Sequence, residues 1–360
     1  MPSNPVRIAV VGVGNCASSL VQSLAFYGGE ITGPLPTGLI YADICGYGVG
    51  DIEVVAAFDV HAQKVGTDLA EAIFCAPNNT YRFAQPSPTG VIVERGPTLD
   101  GIGEYLKDVV PESDLPPVDV EQVLRQTGAQ ILVNLLPVGS GQETAHYLEA
   151  ALSAGCAVVN CIPVFAASDA GWAARFSEAG LPIIGDDIKS QLGATILHRT
   201  LVQLMRERGI SLTHTYQLNF GGNADFQNML ERKRLNTKKQ SKTRAVTSLL
   251  ETQLPADDVH VGPSDHVPWL QDRKWAHIRL EGTGIGGAPL AIEVKLEVWD
   301  SPNSAGVVLD AIRCARLALD RGDAGPIDPA CGYYMKSPPV PREDAVARAA
   351  LEAYLAGTTL

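Results

Sequence analysis

A glycine-rich turn near the start of the chain has the spacing of a phosphate-binding motif. Gly12, Gly14 and Ala17 form a G-x-G-x-x-A pattern between a short apolar run and a helix-forming segment. The first glycine permits the tight turn, the second lets the backbone approach a pyrophosphate, and the alanine lets the helix pack against a sheet. N–H groups at the start of that helix can face the phosphates. The pattern predicts a dinucleotide site, although a glycine turn that binds no ligand can have the same sequence. The candidates in this turn are Gly12, Gly14, Asn15, Cys16 and Ala17.

A carboxylate at the end of the second apolar run is suited to bind the ribose of such a dinucleotide. Asp59 follows the run 52–58 and can accept a hydrogen bond from a ribose 2′-hydroxyl. It lies more than twice as far from Gly12 as the usual separation of about 20 residues. Segment 28–50 is rich in Gly, Pro and Tyr, and we interpret it as a loop insertion that explains the difference. Aspartate rather than arginine at this position favours NAD over NADP.

A dense group of basic residues lies in the second half of an otherwise acidic chain. Residues 232–244 contain seven lysines and arginines, whereas the whole chain has a net charge of −12. Lys238 and Lys242 are four residues apart and would share one face of a helix. Like charges lower the pKa of crowded lysines, so one of them could transfer a proton near neutral pH while others hold a phosphate. A solvated charge run or an RNA-contacting loop is the alternative.

Further candidate carboxylates and lysines lie near predicted strand ends. Asp187 belongs to a Gly-Asp-Asp-Ile-Lys-Ser segment that joins a strand to a predicted helix, where open α/β sheets bind ligands. A pair of helix-capping aspartates is the alternative there. Asp225 follows a second glycine turn, and Asp300 follows the clearest strand. Lys274 and Lys336 are isolated lysines, which are more often surface ion pairs than catalysts. The seven histidines lack metal-ligand spacing.

The elements that must position these residues alternate between strands and helices in the first half of the chain. Short apolar runs predict strands, and the segments between them have helical patterns. This alternation favours right-handed βαβ units and a parallel sheet. The predicted strands are 6–11, 52–58, 130–136, 156–161 and 181–184, and the predicted helices are 17–27, 62–73, 118–126, 143–154 and 169–179.

The pattern changes in the second half. It predicts one long helix over 189–208, a loosely alternating strand over 212–220, and a strand with one wet face over 290–298. Ser301 as N-cap and Pro302 as the first helical residue predict another helix. We therefore predict an α/β fold in which a Rossmann-type parallel sheet domain carries an inserted α+β domain. The predicted ranges are 1–190 for the NAD-binding domain, 191–300 for the inserted catalytic and oligomerisation domain, and 301–360 for C-terminal helices that return to the first domain.

Composition argues against several classes of protein. A net charge of −12 disfavours a general nucleic-acid or anionic-membrane binder. The sequence has no readable signal peptide and no apolar window long enough to span a membrane. Its seven cysteines are scattered, which is typical of reduced thiols. We therefore expect a cytoplasmic protein without nucleic-acid or membrane partners.

Taken in order, these motifs resemble those of the myo-inositol-1-phosphate synthase family over nearly the whole chain. The resemblance implies NAD-dependent cyclisation of D-glucose 6-phosphate to 1D-myo-inositol 3-phosphate, by oxidation at C5, enolisation, an intramolecular aldol step and reduction. The alternatives are a related cyclase for another hexose phosphate, such as fructose 6-phosphate, and a two-domain dehydrogenase with net hydride transfer. The matching segments are 12–20, 136–140, 163–165, 185–190, 219–223, 238–242, 262–266, 299–304 and 335–338.

The same resemblance implies the functional residues. It assigns Lys238 to proton transfer at C5, Lys242 and Lys336 to the phosphate, and Lys274 to the C1 oxygen. It also implies a homotetramer formed through the middle domain and, in some members, a divalent or monovalent cation. The implied catalytic residues are Lys238, Lys242, Lys274, Lys336, Asp187 and Asp300. Implied cofactor contacts are Asp68, Tyr147, Ser190, Asp225 and Lys238.

Overall fold

The computed structural model describes residues 5–29, 33–231 and 254–358, and its larger sheet has seven parallel strands. Each neighbouring pair in this sheet is parallel. The predicted Rossmann-type α/β architecture is therefore confirmed. In spatial order the strands are Gly325–Pro326 (β13), Pro182–Ile184 (β8), Ala157–Asn160 (β7), Ile131–Asn134 (β6), Val6–Val11 (β1), Ile52–Asp59 (β4) and Val93–Arg95 (β5).

A second, smaller sheet has four strands. Its strands are, in spatial order, Val259–His266 (β10), Ser211–Gly221 (β9), Arg273–Thr283 (β11) and Pro289–Trp299 (β12). β11 is antiparallel to both β9 and β12, whereas β10 is parallel to β9. Along β12, exposed and half-buried residues alternate as the sequence pattern predicted. A short antiparallel hairpin, Asp43–Ile44 (β2) and Tyr47–Gly48 (β3), lies within segment 28–50.

Helices cover both sheets and connect them. The longest helix, Asp300–Arg321 (α8), packs against Asn15–Tyr27 (α1) and against β7 and β8, so the chain returns from the smaller sheet to the larger one. α6 packs against β9 and β11 of the smaller sheet. In the described part of the chain, no helix is both long and apolar enough to cross a membrane. The helices are Asn15–Tyr27 (α1), Leu69–Ala72 (α2), Val120–Thr127 (α3), Gly141–Ala154 (α4), Ala170–Glu178 (α5), Ala194–Glu207 (α6), Ala224–Asn228 (α7), Asp300–Arg321 (α8), Asp328–Tyr334 (α9) and Asp344–Leu355 (α10).

The central strands form because their side chains are apolar on both faces. Ile8, Ala9 and Val10 of β1 are fully buried, and because successive side chains point to opposite faces, both faces of the strand are covered, as a parallel strand between helices requires. Local signals then end the helices. In α3, the Asp119 carboxylate accepts a hydrogen bond from the Gln122 N–H at the N-terminus, and Gly128 ends the helix with φ +63°. Caps of this kind stabilise a helix by about 1 kcal/mol.

Most predicted helices differ from the observed ones by one or two residues at an end, and three differences have a cause that the structure shows. The helix predicted over 62–73 is reduced to α2, because Gly66 adopts φ +84° and the backbone of 66–67 bonds to Val93 instead. The helix predicted over 189–208 begins only at α6, since Lys189 N–H donates to the Tyr334 carbonyl. The third helix, α8, begins one residue before the predicted N-cap Ser301.

Candidate active site

A cavity of about 300 Å³ lies between the two sheets, at the carboxyl ends of the parallel strands. It is centred where the chain order of the large sheet reverses, between β1 and β6. Open α/β sheets bind their ligands at this position. The wall is formed by the β1–α1 turn, the ends of β4 and β6, segment 187–190, α7, the start of β11 and the start of α8.

The glycine turn has the geometry that a bound pyrophosphate needs. Gly12 adopts φ +87°, and a Cβ there would approach the Leu135 carbonyl oxygen to 2.8 Å, so a side chain is excluded. A Cβ on Gly14 would meet nothing within 4 Å, which leaves this part of the cavity wall open to an approaching ligand. Gly14 is also the N-cap of α1 and supplies no capping side chain. The first-turn N–H groups of α1 therefore have no side-chain cap there.

The other three residues of the turn have different surroundings. Asn15 and Cys16 line the cavity. Asn15 donates to Asp272 at 3.1 Å, and the thiol of Cys16 lies 3.8 Å from the Ser301 hydroxyl. Ala17 is fully buried, and it takes the close-packing role expected of the third position in the motif.

Asp59 lines the cavity, but its carboxylate also organises the glycine turn. Its Oδ2 accepts a hydrogen bond from the Val13 N–H at 2.8 Å. Its Oδ1 accepts from the N–H groups of Val60 and His61 at 2.7 and 2.8 Å. The Nζ of Lys64 lies 4.0 Å from Oδ2. The binding of a ribose by Asp59 stays a prediction.

Two lysine–carboxylate pairs line the opposite part of the cavity. The Nζ of Lys274 is 3.0 Å from Oδ1 of Asp300, and the Nζ of Lys336 is 2.7 Å from Oδ1 of Asp187. These four residues come from separate elements, yet all four border one cavity with the glycine turn. Their side chains are largely buried, with 5% to 22% exposed. The reading of these lysines as surface ion pairs is therefore wrong.

The backbone places these pairs in a defined way. Lys274 is the second residue of β11 and lies opposite Gly221 of β9 and Val298 of β12. Asp300 is the first residue of α8. Asp187 adopts φ +63°, which is strained for a residue with a side chain and is typical of functional sites. Its carbonyl accepts from the Lys336 N–H at 2.7 Å, so this pair is joined through both backbone and side chains.

Electrostatics keeps Lys274 protonated. Burial alone lowers the pKa of a lysine, but the carboxylates of Asp300, Asp225 and Asp187 outweigh burial and raise the pKa of Lys274. An ammonium group held in this way is a fixed positive charge at neutral pH. Such a group can stabilise an oxyanion that forms on a substrate.

The remaining predicted contacts divide into three groups. Tyr147, Ser190 and Asp225 line the cavity, and burial raises the pKa of Tyr147 above its usual value. Asp68 is not part of the cavity wall: its carboxylate caps α2 and accepts from the N–H and hydroxyl groups of segment 89–90. Lys238 and Lys242, with the whole basic segment 232–244, lie outside the described residues.

Asp272 is a buried residue beneath the cavity wall, and the sequence did not reveal its role. It is fully buried, and its carboxylate accepts from the side chains of Asn15, Thr80, Asn223 and Ser301 at 2.7 to 3.1 Å. The backbone N–H of Ser301 also donates to it, at 3.1 Å. Asp272 thereby joins the glycine turn to the start of α7 and to the start of α8. The only sequence signal was a carboxylate two residues before Lys274, which could equally be a surface residue.

Asp186, next to Asp187, has a structural role. It is fully buried and accepts from the Asn160 amide and from the Ser168 hydroxyl, at 2.7 Å each. Burial raises the pKa of this carboxyl, and these hydrogen bonds act against the increase. The alternative reading of Asp186 and Asp187 as a helix-capping pair is wrong, because α6 starts at Ala194 and has Gly193 as its N-cap.

The cation implied by the resemblance has no obvious site in the part of the chain that is described. Within residues 5–29, 33–231 and 254–358, no group of three or more His, Cys, Asp and Glu residues is arranged to hold a metal ion.

Comparison with known proteins identifies the family. The model of the myo-inositol-1-phosphate synthase family matches residues 193–301. Inositol-3-phosphate synthase of Mycobacterium tuberculosis is 56% identical over 356 residues, which is 99% of this chain and 97% of the relative. The protein of the same name from Mycolicibacterium smegmatis is also 56% identical, with 98% of each chain covered. The chain belongs to the myo-inositol-1-phosphate synthase family.

Solved structures share this fold. The crystal structure of Ari2 shares 34% sequence identity and has a TM-score of 0.78, with 98% of this chain and 100% of that chain covered. A myo-inositol-1-phosphate synthase-related protein from Thermotoga maritima has a TM-score of 0.82 at 24% identity, with 99% of both chains covered, and supports the fold alone. In this member of the synthase family, Lys274, Lys336, Asp187 and Asp300 thus line one cavity with the dinucleotide motif.

Proposed function

We propose that this protein converts D-glucose 6-phosphate to 1D-myo-inositol 3-phosphate in an NAD-dependent cyclisation. The observation that carries the proposal is the arrangement of two buried lysine–carboxylate pairs and a glycine turn around one cavity. The names of the relatives from Mycobacterium tuberculosis and Mycolicibacterium smegmatis support the same reaction.

The residues present fit NAD. Gly14 leaves room for the backbone to approach a pyrophosphate, and the start of α1 offers N–H donors. Asp59 lies at the end of the strand next to β1, where an acidic residue favours a ribose with a free 2′-hydroxyl. When bound, NAD would take a hydride from C5 of the sugar and return it after ring closure, so that net redox is zero.

The chain's own residues would control charge and protons during the reaction. Lys274, held protonated by Asp300, would stabilise the negative charge that develops on the C1 oxygen in the aldol step. Lys336, paired with Asp187, would bind the phosphate, together with Lys242. Lys238 would transfer the proton at C5. The cavity would hold the open-chain sugar in a conformation that favours ring closure.

One assay tests the proposal. The purified full chain is incubated with D-glucose 6-phosphate and an amount of NAD⁺ well below that of the substrate. NADH absorbance is followed and the products are identified by NMR. The proposal expects many turnovers to an inositol phosphate without accumulation of NADH. Stoichiometric NADH would instead indicate the dehydrogenase alternative, and a five-membered cyclitol phosphate from fructose 6-phosphate would indicate the other cyclase.

We also propose a homotetramer formed through the four-stranded sheet. One face of this sheet packs on α6, and the other face points away from it. The face that points away carries four half-buried residues, Tyr216, Leu218, Phe220 and Trp275. Pairing with another subunit would cover this face. Light scattering on the purified protein tests this: the mass of four chains is expected, and the mass of one chain would contradict it. The cation requirement and the cytoplasmic location stay predictions.

A further inference from the structure

One carboxylate that lines the cavity has an oxygen that accepts no hydrogen bond from the described residues. Glu143, in the first turn of α4, is 5% exposed. Its Oε1 accepts from the N–H groups of Leu99 and Asp100, at 2.6 Å each, and these bonds fix the side chain. Within residues 5–29, 33–231 and 254–358, its buried Oε2 has no hydrogen-bond partner. An unpaired buried carboxylate oxygen costs free energy unless a ligand supplies a donor.

The position of Glu143 indicates which part of a ligand it would meet. Leu99 and Asp100 follow β5, the strand next to β4, and β4 ends at Asp59. Tyr147 lies one turn after Glu143, and its ring packs against that of Phe58, with the two ring centroids 5.7 Å apart. Burial and then Asp59 raise the pKa of Tyr147, and Glu143 raises it as well, so both carboxylates lie near its hydroxyl. This is the side of the glycine turn on which a Rossmann-type sheet binds adenosine.

Asp59 alone is poorly suited to be the hydroxyl acceptor there. A carboxylate has roughly four acceptor sites. Three of those of Asp59 accept backbone N–H groups, and Lys64 lies beside the fourth. Glu143 lines the cavity, and its Oε2 has no hydrogen-bond partner among the described residues. Burial and the neighbouring Asp100 carboxyl group raise the pKa of Glu143.

We infer that Glu143 accepts a hydrogen bond from the adenosine ribose 2′-hydroxyl of the bound dinucleotide and thereby selects NAD over NADP. The inference rests on the proposed function, because it takes NAD as the cofactor. A 2′-phosphate at this position would meet the carboxyl groups of Glu143 and Asp59. The nearby guanidinium of Arg95 does not offset this, since it already bonds to Gly96, Thr98 and Glu112.

Calorimetric titration of the full chain with NAD⁺ and, separately, NADP⁺ tests the inference. Glu143→Ala removes the acceptor. Glu143→Gln keeps an oxygen for the Leu99 and Asp100 N–H groups and presents an NH₂ group to the cavity, so it is the variant more certain to fold. Glu149→Gln, on the same helix but paired with Arg175 at the surface, is the matched control. A thermal melt of each variant reports folding.

The expected result is a loss of about tenfold in NAD⁺ affinity for both Glu143 variants, since the loss of one hydrogen bond in a protein has about that effect. The preference for NAD⁺ over NADP⁺ should fall by at least the same factor, and Glu149→Gln should behave as the wild type. Folded Glu143 variants with an unchanged preference would overturn the inference and leave the proposed function intact. Equal losses for both dinucleotides would place Glu143 at a group they share and also overturn it. A wild-type protein that binds no NAD⁺ would overturn the inference and the proposed function together.

Discussion

The two ends of the cavity hold their carboxylates in different ways. At the glycine turn, Asp59 is held mainly by backbone N–H groups. Between the two ends, Asp272 is held by neutral amides, hydroxyls and one backbone N–H. At the other end, Asp187 and Asp300 are paired with lysine ammonium groups that face the cavity.

We infer from this difference that the glycine turn serves to bind the cofactor and that the lysine pairs serve the chemical steps. Neutral donors that saturate a buried carboxylate fix the backbone, because each bond is lost if the turn moves. A lysine–carboxylate pair instead holds a proton and a charge that a substrate can use. We therefore expect changes at the glycine turn to affect cofactor binding and changes at the lysine pairs to affect turnover.

The largest difference between the effect on turnover and the effect on NAD⁺ affinity is expected for Lys274→Ala. Removal of the ammonium that stabilises the C1 oxyanion should lower turnover by about 10³-fold or more, while NAD⁺ affinity stays near that of the wild type. Steady-state rates and calorimetric binding measure the two effects. Arg348→Ala on α10, which removes an exposed positive charge far from the cavity wall, is the control. Turnover that is unchanged in Lys274→Ala would remove this lysine from the mechanism.

Asp272→Ala should destabilise the protein, because Asp272 bonds both to the glycine turn and to the start of α8. The substitution leaves the buried amides of Asn15 and Asn223 and the hydroxyls of Thr80 and Ser301 without their common acceptor. We expect the free energy of unfolding to fall by roughly 2–4 kcal/mol. Urea denaturation measures this, with the partly exposed Asp258→Ala as control. A variant as stable as the control would mean that Asp272 does not join the two ends.

Asp300→Asn should shift the pH dependence of turnover. Burial lowers the pKa of Lys274, and the Asp300 carboxylate is the largest influence that raises it. Without that carboxylate the pKa of Lys274 falls, and the protonated form is lost at lower pH. The alkaline limb of kcat/KM should therefore move to lower pH, with a rate loss of about 10–100-fold near neutral pH. An alkaline limb at the wild-type position would contradict the assignment.

Asp59→Asn should have the smallest effect, confined to cofactor binding. An asparagine oxygen can still accept from Val60 and His61, but its NH₂ group would then oppose the Val13 N–H. The glycine turn would loosen, and NAD⁺ affinity should fall by about tenfold with little change in kcat. Binding titration and steady-state kinetics measure this pair of effects. A fall in kcat with unchanged affinity would reverse the proposed division of roles.

The larger sheet was predictable because its signals are local. The runs 6–11 and 52–58 are apolar except for one charged residue each, Arg7 and Glu53, and the turn after β1 has a fixed spacing of glycines. The end of α6 was also predicted closely, but its start was not, because segment 187–190 bonds to residues near Tyr334 and Lys336 that are distant in sequence. The two-residue strand β13 is too short to have a pattern of its own.

The sequence was sufficient to name most residues of the site, but it did not show how their side chains are arranged around the cavity. Lys274, Lys336, Asp187 and Asp300 came from family-like motifs, and only the fold shows which lysine pairs with which carboxylate. Glu143 had no motif at all. Its role depends on loop residues 99–100 that fix one of its oxygens, a contact between segments more than forty residues apart.

A crystal structure of the full chain with NAD⁺ and a non-reacting hexose phosphate analogue would show whether the two lysine–carboxylate pairs act on a sugar bound beside the cofactor. We expect the nicotinamide ring beside the sugar, with the Nζ atoms of Lys274 and Lys336 within hydrogen-bond distance of sugar or phosphate oxygens. Lysines that point into solvent, far from the nicotinamide, would contradict it.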